Sequence, residues 1–152
     1  MFSIHLLRSN NVEEVVKKIP SNAAAIVISE EYICVPRFVE YAFMQAFKTF
    51  EKGQNTAKTI SLEWICNLAL KKNVSNAVNF TRPSGTEMCF AAMNCFETPV
   101  ELANIGIELP IGKEFRQKAE EILIEKYDIF AKALAVYKFE DLLIEKAAVE
   151  NI

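Results

Sequence analysis

Four glycines and five prolines in 152 residues are too few to punctuate a many-turned β-sandwich, so more helix than strand is expected. Long apolar runs are also missing. The longest stretch without Asp, Glu, Lys or Arg is the eleven residues Ile19 to Ser29, against about 20 for a membrane-spanning helix. The N-terminus, Met1-Phe2-Ser3-Ile4-His5-Leu6-Leu7-Arg8, has no positive segment ahead of its apolar run. No secretion signal or membrane partner is therefore expected, and the chain is assigned to the cytoplasm. The sequons Asn73-Val74-Ser75 and Asn79-Phe80-Thr81 then read as chance.

Reactive motifs are scarce too. There is one histidine, His5, and no pair among Cys34, Cys66, Cys89 and Cys95 has the C-x-x-C spacing of zinc or redox sites. Each cysteine has apolar neighbours, which points to four reduced thiols in a core. Glycines at 53, 85, 106 and 112 form neither a phosphate loop nor a dinucleotide fingerprint. No histidine stands near a Ser or Cys in a triad-like motif. The pairs Glu13-Glu14, Glu30-Glu31 and Glu120-Glu121 are adjacent, and adjacent residues point apart on a helix, so they read as solvated. No metal and no cofactor is expected.

What is present suffices for one folded domain over residues 1–152. Hydrophobic residues make up 51%, enough for a core without disulfides. Phe2, Ile4 and Leu6 alternate as in a strand, Asn11 caps a helix from Val12 to Ile19, and Ala24–Ile28 reads as a buried strand. Pro36 opens a helix from Arg37 to Lys52 with Val39, Phe43, Ala46, Phe47 and Phe50 on one stripe. Ser61 caps a helix from Leu62 to Lys72 with Leu62, Ile65, Leu68 and Ala69 inward, and Val74–Phe80 adds a short one. Met88–Met93 reads as a central strand and Ile107–Leu109 as an edge strand. Lys113–Tyr137 is expected as one long helix burying Phe115, Ala119, Leu123, Tyr127, Phe130, Leu134 and Tyr137. A last helix follows from Phe139 to Val149. This order argues an α+β class: a small, mainly antiparallel sheet packed against several helices, helix-rich, with long helices at the C-terminus.

Charge is uneven. Residues 37–82 carry seven basic and three acidic groups, a balance of +4, while residues 83–152 stand at −6. Lys58, Lys71, Lys72 and Arg82 could contact phosphates, unless they only solvate helix ends. Trp64 and Phe80 lie in the same stretch and could stack on unpaired bases, with burial in the core the plainer reading. A second surface is apolar. Phe38, Tyr41 and Met44 lie off the main stripe of their helix, and the terminal helix adds Leu142 and Leu143.

The segments Tyr41-Ala42-Phe43-Met44-Gln45-Ala46-Phe47, Gly53-Gln54-Asn55, Lys58-Thr59, Ser61-Leu62-Glu63-Trp64, Asn73-Val74 and Asn76-Ala77-Val78 come in the order and spacing of one family. Over roughly residues 25–100 the chain resembles the kinase-associated subunit of the KEOPS complex, the PRPK-binding protein (TPRKB) family. It departs from the family pattern after the short helix, where Phe80-Thr81-Arg82-Pro83-Ser84-Gly85 replaces a Phe-Gly-Ile-like segment. The resemblance implies a non-catalytic subunit of the machinery that makes threonylcarbamoyladenosine in tRNA. Such a subunit binds and stimulates the small atypical kinase-ATPase of the complex and helps hold tRNA by its single-stranded 3′ end. On that reading Tyr41, Met44, Leu142 and Leu143 face the kinase, Lys58, Lys71, Lys72 and Arg82 face the RNA, and no DNA is bound. The alternatives are a small enzyme with scattered carboxylate and lysine groups, and a homodimeric scaffold.

Overall fold

The computed structural model describes residues 2–8, 25–83, 88–94, 107–108 and 113–150. Its elements are β1 (Phe2–Arg8), β2 (Ala25–Ile28), a 3-10 turn (Glu30–Cys34), α1 (Pro36–Glu51), α2 (Ile60–Ala69) and α3 (Val74–Thr81). These are followed by β3 (Met88–Asn94), β4 (Ile107–Glu108), α4 (Lys113–Lys126), α5 (Ala131–Leu134) and α6 (Phe139–Glu150). The helix expected over Val12–Ile19 lies outside the described residues. Backbone pairing sets the strands in the order β2-β3-β1-β4, all neighbours antiparallel. Ile28 pairs with Phe90, Leu6 with Phe90 on the other side, and Leu7 with Glu108.

The α+β expectation needs correction. Residues 25–83 and 113–150, which hold the described core, are 71% helical, with β2 their one short strand and no sheet among them. A small antiparallel sheet is not the layer on which this core is built. Its interior is closed by helices: Phe38, Val39, Phe43 and Ala46 of α1, Trp64 and Leu68 of α2, Leu123 of α4, and Leu143 and Ala147 of α6. Ile26 and Ile28 enter from β2, Tyr32 and Ile33 from the 3-10 turn, and Tyr127 just after α4. Period-two alternation reports strand backbone; it does not report which layer encloses the core.

α1 begins at Pro36, where the missing N–H costs nothing. No side chain of its own loop caps it. Glu140 of α6 does so instead, its Oε1 accepting from Arg37 N (2.6 Å) and Phe38 N (3.2 Å). A carboxylate at a helix N-terminus satisfies orphan donors and opposes the dipole. Arg37 completes the tie through Asp141 (2.6 Å) and Glu140 (3.4 Å). Two bonds in step join α2 to α1: Trp64 Nε1 donates to the Val39 carbonyl (2.9 Å) and Asn67 Nδ2 to the Ala42 carbonyl (3.3 Å).

Three helices end in the same way. After α1, Gly53 N donates to Phe50 O and Gln54 N to Thr49 O. After α2, Leu70 N donates to Asn67 O and Lys71 N to Cys66 O. After α4, Asp128 N donates to Glu125 O and Ile129 N to Ile124 O. This is the Schellman pattern, which needs a left-handed residue at its corner. Gly53, Leu70 and Asp128 supply it with φ of 66°, 57° and 54°. A leucine there costs roughly 1–2 kcal/mol of backbone strain. Its side chain packs against the core, which offsets that cost.

The long helix expected over 113–137 is therefore two pieces broken at Asp128, and Phe130 and Tyr137, expected inside, are exposed. α2 stops at Ala69 rather than Lys72 for the same reason. Thr59, not Ser61, caps its start, accepting from Leu62 N at 3.2 Å, while the Ser61 hydroxyl accepts from Ala25 N at 3.3 Å. Tyr127 joins three elements. Its hydroxyl donates to the Leu68 carbonyl at 2.7 Å, so the bond to the Tyr32 hydroxyl (2.8 Å) has Tyr32 as donor. Its ring meets Tyr32, Phe38 and Phe80 edge to face.

Candidate protein and RNA interaction faces

α1 buries Phe38, Val39, Ala42, Phe43 and Ala46, so Phe38 belongs to the core rather than to a second face. Outside that stripe, Met44 is 46% exposed and Phe47, one turn on, 44%. Tyr41 is half-buried and packs against the core. The structure thus keeps Met44 as an accessible apolar contact and adds Phe47, expected inside. It leaves Tyr41 only partly available.

The break at Asp128 opens a groove of about 310 Å³ between the α5 segment and α6. Ile129, Phe130, Ala133, Leu142 and Val149 form its apolar surface. Asp128, Glu145, Lys146 and Glu150 complete it. Phe130 is 78% exposed and Val149 63%. Burying one such side chain fully is worth about 1.5–3 kcal/mol, most of which Phe130 forgoes in the isolated chain. Leu142 lines the groove. Leu143 does not: it is fully buried in the core beside Ala147. Its assignment to a partner face is corrected. Neighbours on a helix point about 100° apart, so only one of two adjacent leucines can serve the groove.

The basic residues separate into two places. Lys58 is exposed just before α2, whereas Lys71 and Lys72 are exposed just after it. Ten helical residues put these ends about 15 Å apart. The loop before Lys58 is anchored by the buried Glu63, whose Oε2 accepts from Thr56 N (3.0 Å), Thr56 Oγ1 (3.2 Å) and Ala57 N (2.8 Å). Lys71 Nζ lies 4.9 Å from the centre of the Phe80 ring, and Lys126 Nζ of α4 lies 4.8 Å from it. Arg82 is exposed immediately after α3. Trp64 is fully buried with its indole N–H occupied, so it cannot stack on a base. Phe80 is half-buried between cations and Tyr127.

Lys126 is a member of this cluster that its local sequence does not single out. It stands 3.5 Å from Glu31 Oε1 and 5.2 Å from the Tyr32 ring centre. Burial pushes its ammonium below the usual lysine range, against the pull of Glu31. Beside it, burial pushes the Glu30 carboxyl above the usual range, and Glu30 Oε2 is buried without a hydrogen-bond partner. Glu31 itself is buried. The expectation that Glu30-Glu31 is a solvated pair therefore fails, because the 3-10 turn tucks it against α4.

Cys66 is buried and Cys34 half-buried, and both are free thiols. Burial raises both, Cys34 to about 12. The side chains of Cys89 and Cys95 lie outside the described residues. Among the described residues no group of three His, Cys, Asp or Glu could hold a metal ion, and no helix is long and apolar enough to cross a membrane. No protein-family model matches the chain, and no curated protein matches it.

Proposed function

We propose that this chain is a non-catalytic subunit of the KEOPS tRNA threonylcarbamoyladenosine machinery, a cytoplasmic assembly. It would bind and stimulate the small atypical kinase-ATPase and help recruit tRNA by its 3′ end. The observation that carries the reading is the outer face of α1. There, within the Tyr41–Phe47 segment that resembles the kinase-associated family, Met44 and Phe47 stay in water although the opposite face of the helix is fully packed. An exposed apolar row rimmed by Glu40 and Lys48 suits a protein partner. Exposed Lys58, Lys71, Lys72 and Arg82 supply cations for an RNA backbone at both ends of α2.

The test is capture of the small kinase and of tRNA by the purified chain. Met44→Glu is expected to abolish kinase capture with the circular dichroism spectrum unchanged. Lys58→Glu is expected to weaken tRNA binding, with the log–log salt slope flattening by about one phosphate contact's worth. Wild-type affinities in these variants would refute the assignment of both faces.

One observation favours a second reading, a small enzyme. The raised Glu30 carboxyl and the lowered Lys126 ammonium stand together, and perturbed groups of this kind cluster at catalytic sites. Glu30→Gln separates the two. It leaves kinase and tRNA binding intact if the chain is an adaptor, and it abolishes turnover if the pair is catalytic.

A further inference from the structure

We propose that the groove between the α5 segment and α6 is a docking site for one amphipathic helix with a basic polar face. Its receiving strip on α6 runs from Leu142 through Glu145 and Lys146 to Val149, the i, i+3, i+4, i+7 positions of a single helical face. That strip is about 10 Å long, the span over which a bound helix repeats its own apolar anchors. Phe130 closes the opposite side. It is held at the start of α5, where its carbonyl accepts from Ala133 N (3.1 Å) and Leu134 N (3.3 Å). The volume of about 310 Å³ admits apolar side chains between these walls.

The charge at the groove selects the occupant. Asp128, Glu145 and Glu150 line it against a single ammonium, Lys146, which already lies 3.9 Å from Glu150. The excess is two carboxylates. Glu140 and Asp141, one turn away, are taken up by Arg37 and the start of α1. A partner that brings Lys or Arg beside its apolar anchors meets complementary charge. A second copy of this chain does not. In a two-fold dimer the same patch packs against itself, which would bring together two surfaces that each carry two excess carboxylates. The inference does not rest on the KEOPS reading, which is carried by Met44 and Phe47 of α1, although that reading also gave Leu142 of the groove to the kinase.

Calorimetric titration of the full chain tests it with a synthetic helix of about four turns, apolar at i, i+3, i+4 and i+7 with Lys on the flanks. A matched helix carries Glu in place of Lys. The Lys peptide is expected to bind at least about tenfold more tightly than the Glu peptide, with affinity falling as salt rises. Val149→Lys is expected to weaken it at least about tenfold, and Glu145→Lys to weaken it measurably. Both positions are exposed, so circular dichroism should not change. Equal affinity for the two peptides, or unchanged binding in Val149→Lys, overturns the proposal. So does a wild-type dimer in sedimentation that Val149→Lys dissociates, which would give the groove to a second copy. Kinase capture by the Met44→Glu variant bears on the α1 face alone, so the two readings fail separately.

Discussion

Replacing Glu63 with alanine isolates one device that shapes the candidate RNA face. This carboxylate is buried near the start of α2, and one of its oxygens gathers three donors from Thr56 and Ala57. The magnitude follows from where those donors go. Thr56 is exposed, so its amide and hydroxyl find water and lose only the advantage of a charged acceptor. Ala57 is buried, and its orphaned amide costs about 1–3 kcal/mol. Adding the lost charge-assisted bonds, Glu63→Ala should cost about 2–4 kcal/mol, a large share of the ~5–15 kcal/mol that holds a domain of this size. Glu63→Gln keeps the shape and an acceptor oxygen and should cost less than half as much. Urea unfolding at constant m reads the stability, and amide exchange at Ala57 reads the loop. A midpoint shift worth less than about 0.5 kcal/mol, or unchanged exchange at Ala57, would refute the claim that Glu63 organises residues 56–58.

Other substitutions test the core and its titrating groups. Leu143→Ala should cost about 2–5 kcal/mol as a core truncation, whereas Leu142→Ala on the groove should cost less than about 1.5 kcal/mol; chemical denaturation of the two gives the ratio. Cys34, with its thiol at about 12, should alkylate at pH 8 roughly three orders of magnitude more slowly than in the unfolded chain, read by peptide mapping. Glu30 titrates higher in the folded state than when unfolded. Between the ordinary carboxylate range and that raised value the folded state holds a proton the unfolded state lacks, so its contribution to stability falls as pH rises. Glu30→Gln should remove that part of the slope, visible as a wild-type minus variant difference in melting temperature across the window.

Helix existence was legible, but the ends of α2 and the break after α4 were not. The stripes placed α1, α2, α3 and α6 to within a few residues, because apolar spacing is a local property. Of three Schellman corners only Gly53 announced itself; Leu70 and Asp128 are ordinary residues forced left-handed by their surroundings. Missing the corner at Asp128 hid the groove, since a continuous helix would have buried Phe130 and Tyr137 on its stripe. The cap on α1 was equally invisible, because it comes from Glu140, more than a hundred residues away. Of the partner residues, Met44 and Leu142 stand where a partner could reach them, while Leu143 does not.

Period and composition alone established a helix-rich chain, a run of helices with one packed stripe each, and a basic middle segment beside an acidic end. Those quantities depend only on neighbours within a few positions. Which leucine of Leu142-Leu143 faces inward, which glutamates are buried, and which lysines reach Phe80 were set by long-range packing. Burial belongs to a surface shared between distant segments, and no single segment carries that surface in its own order of residues.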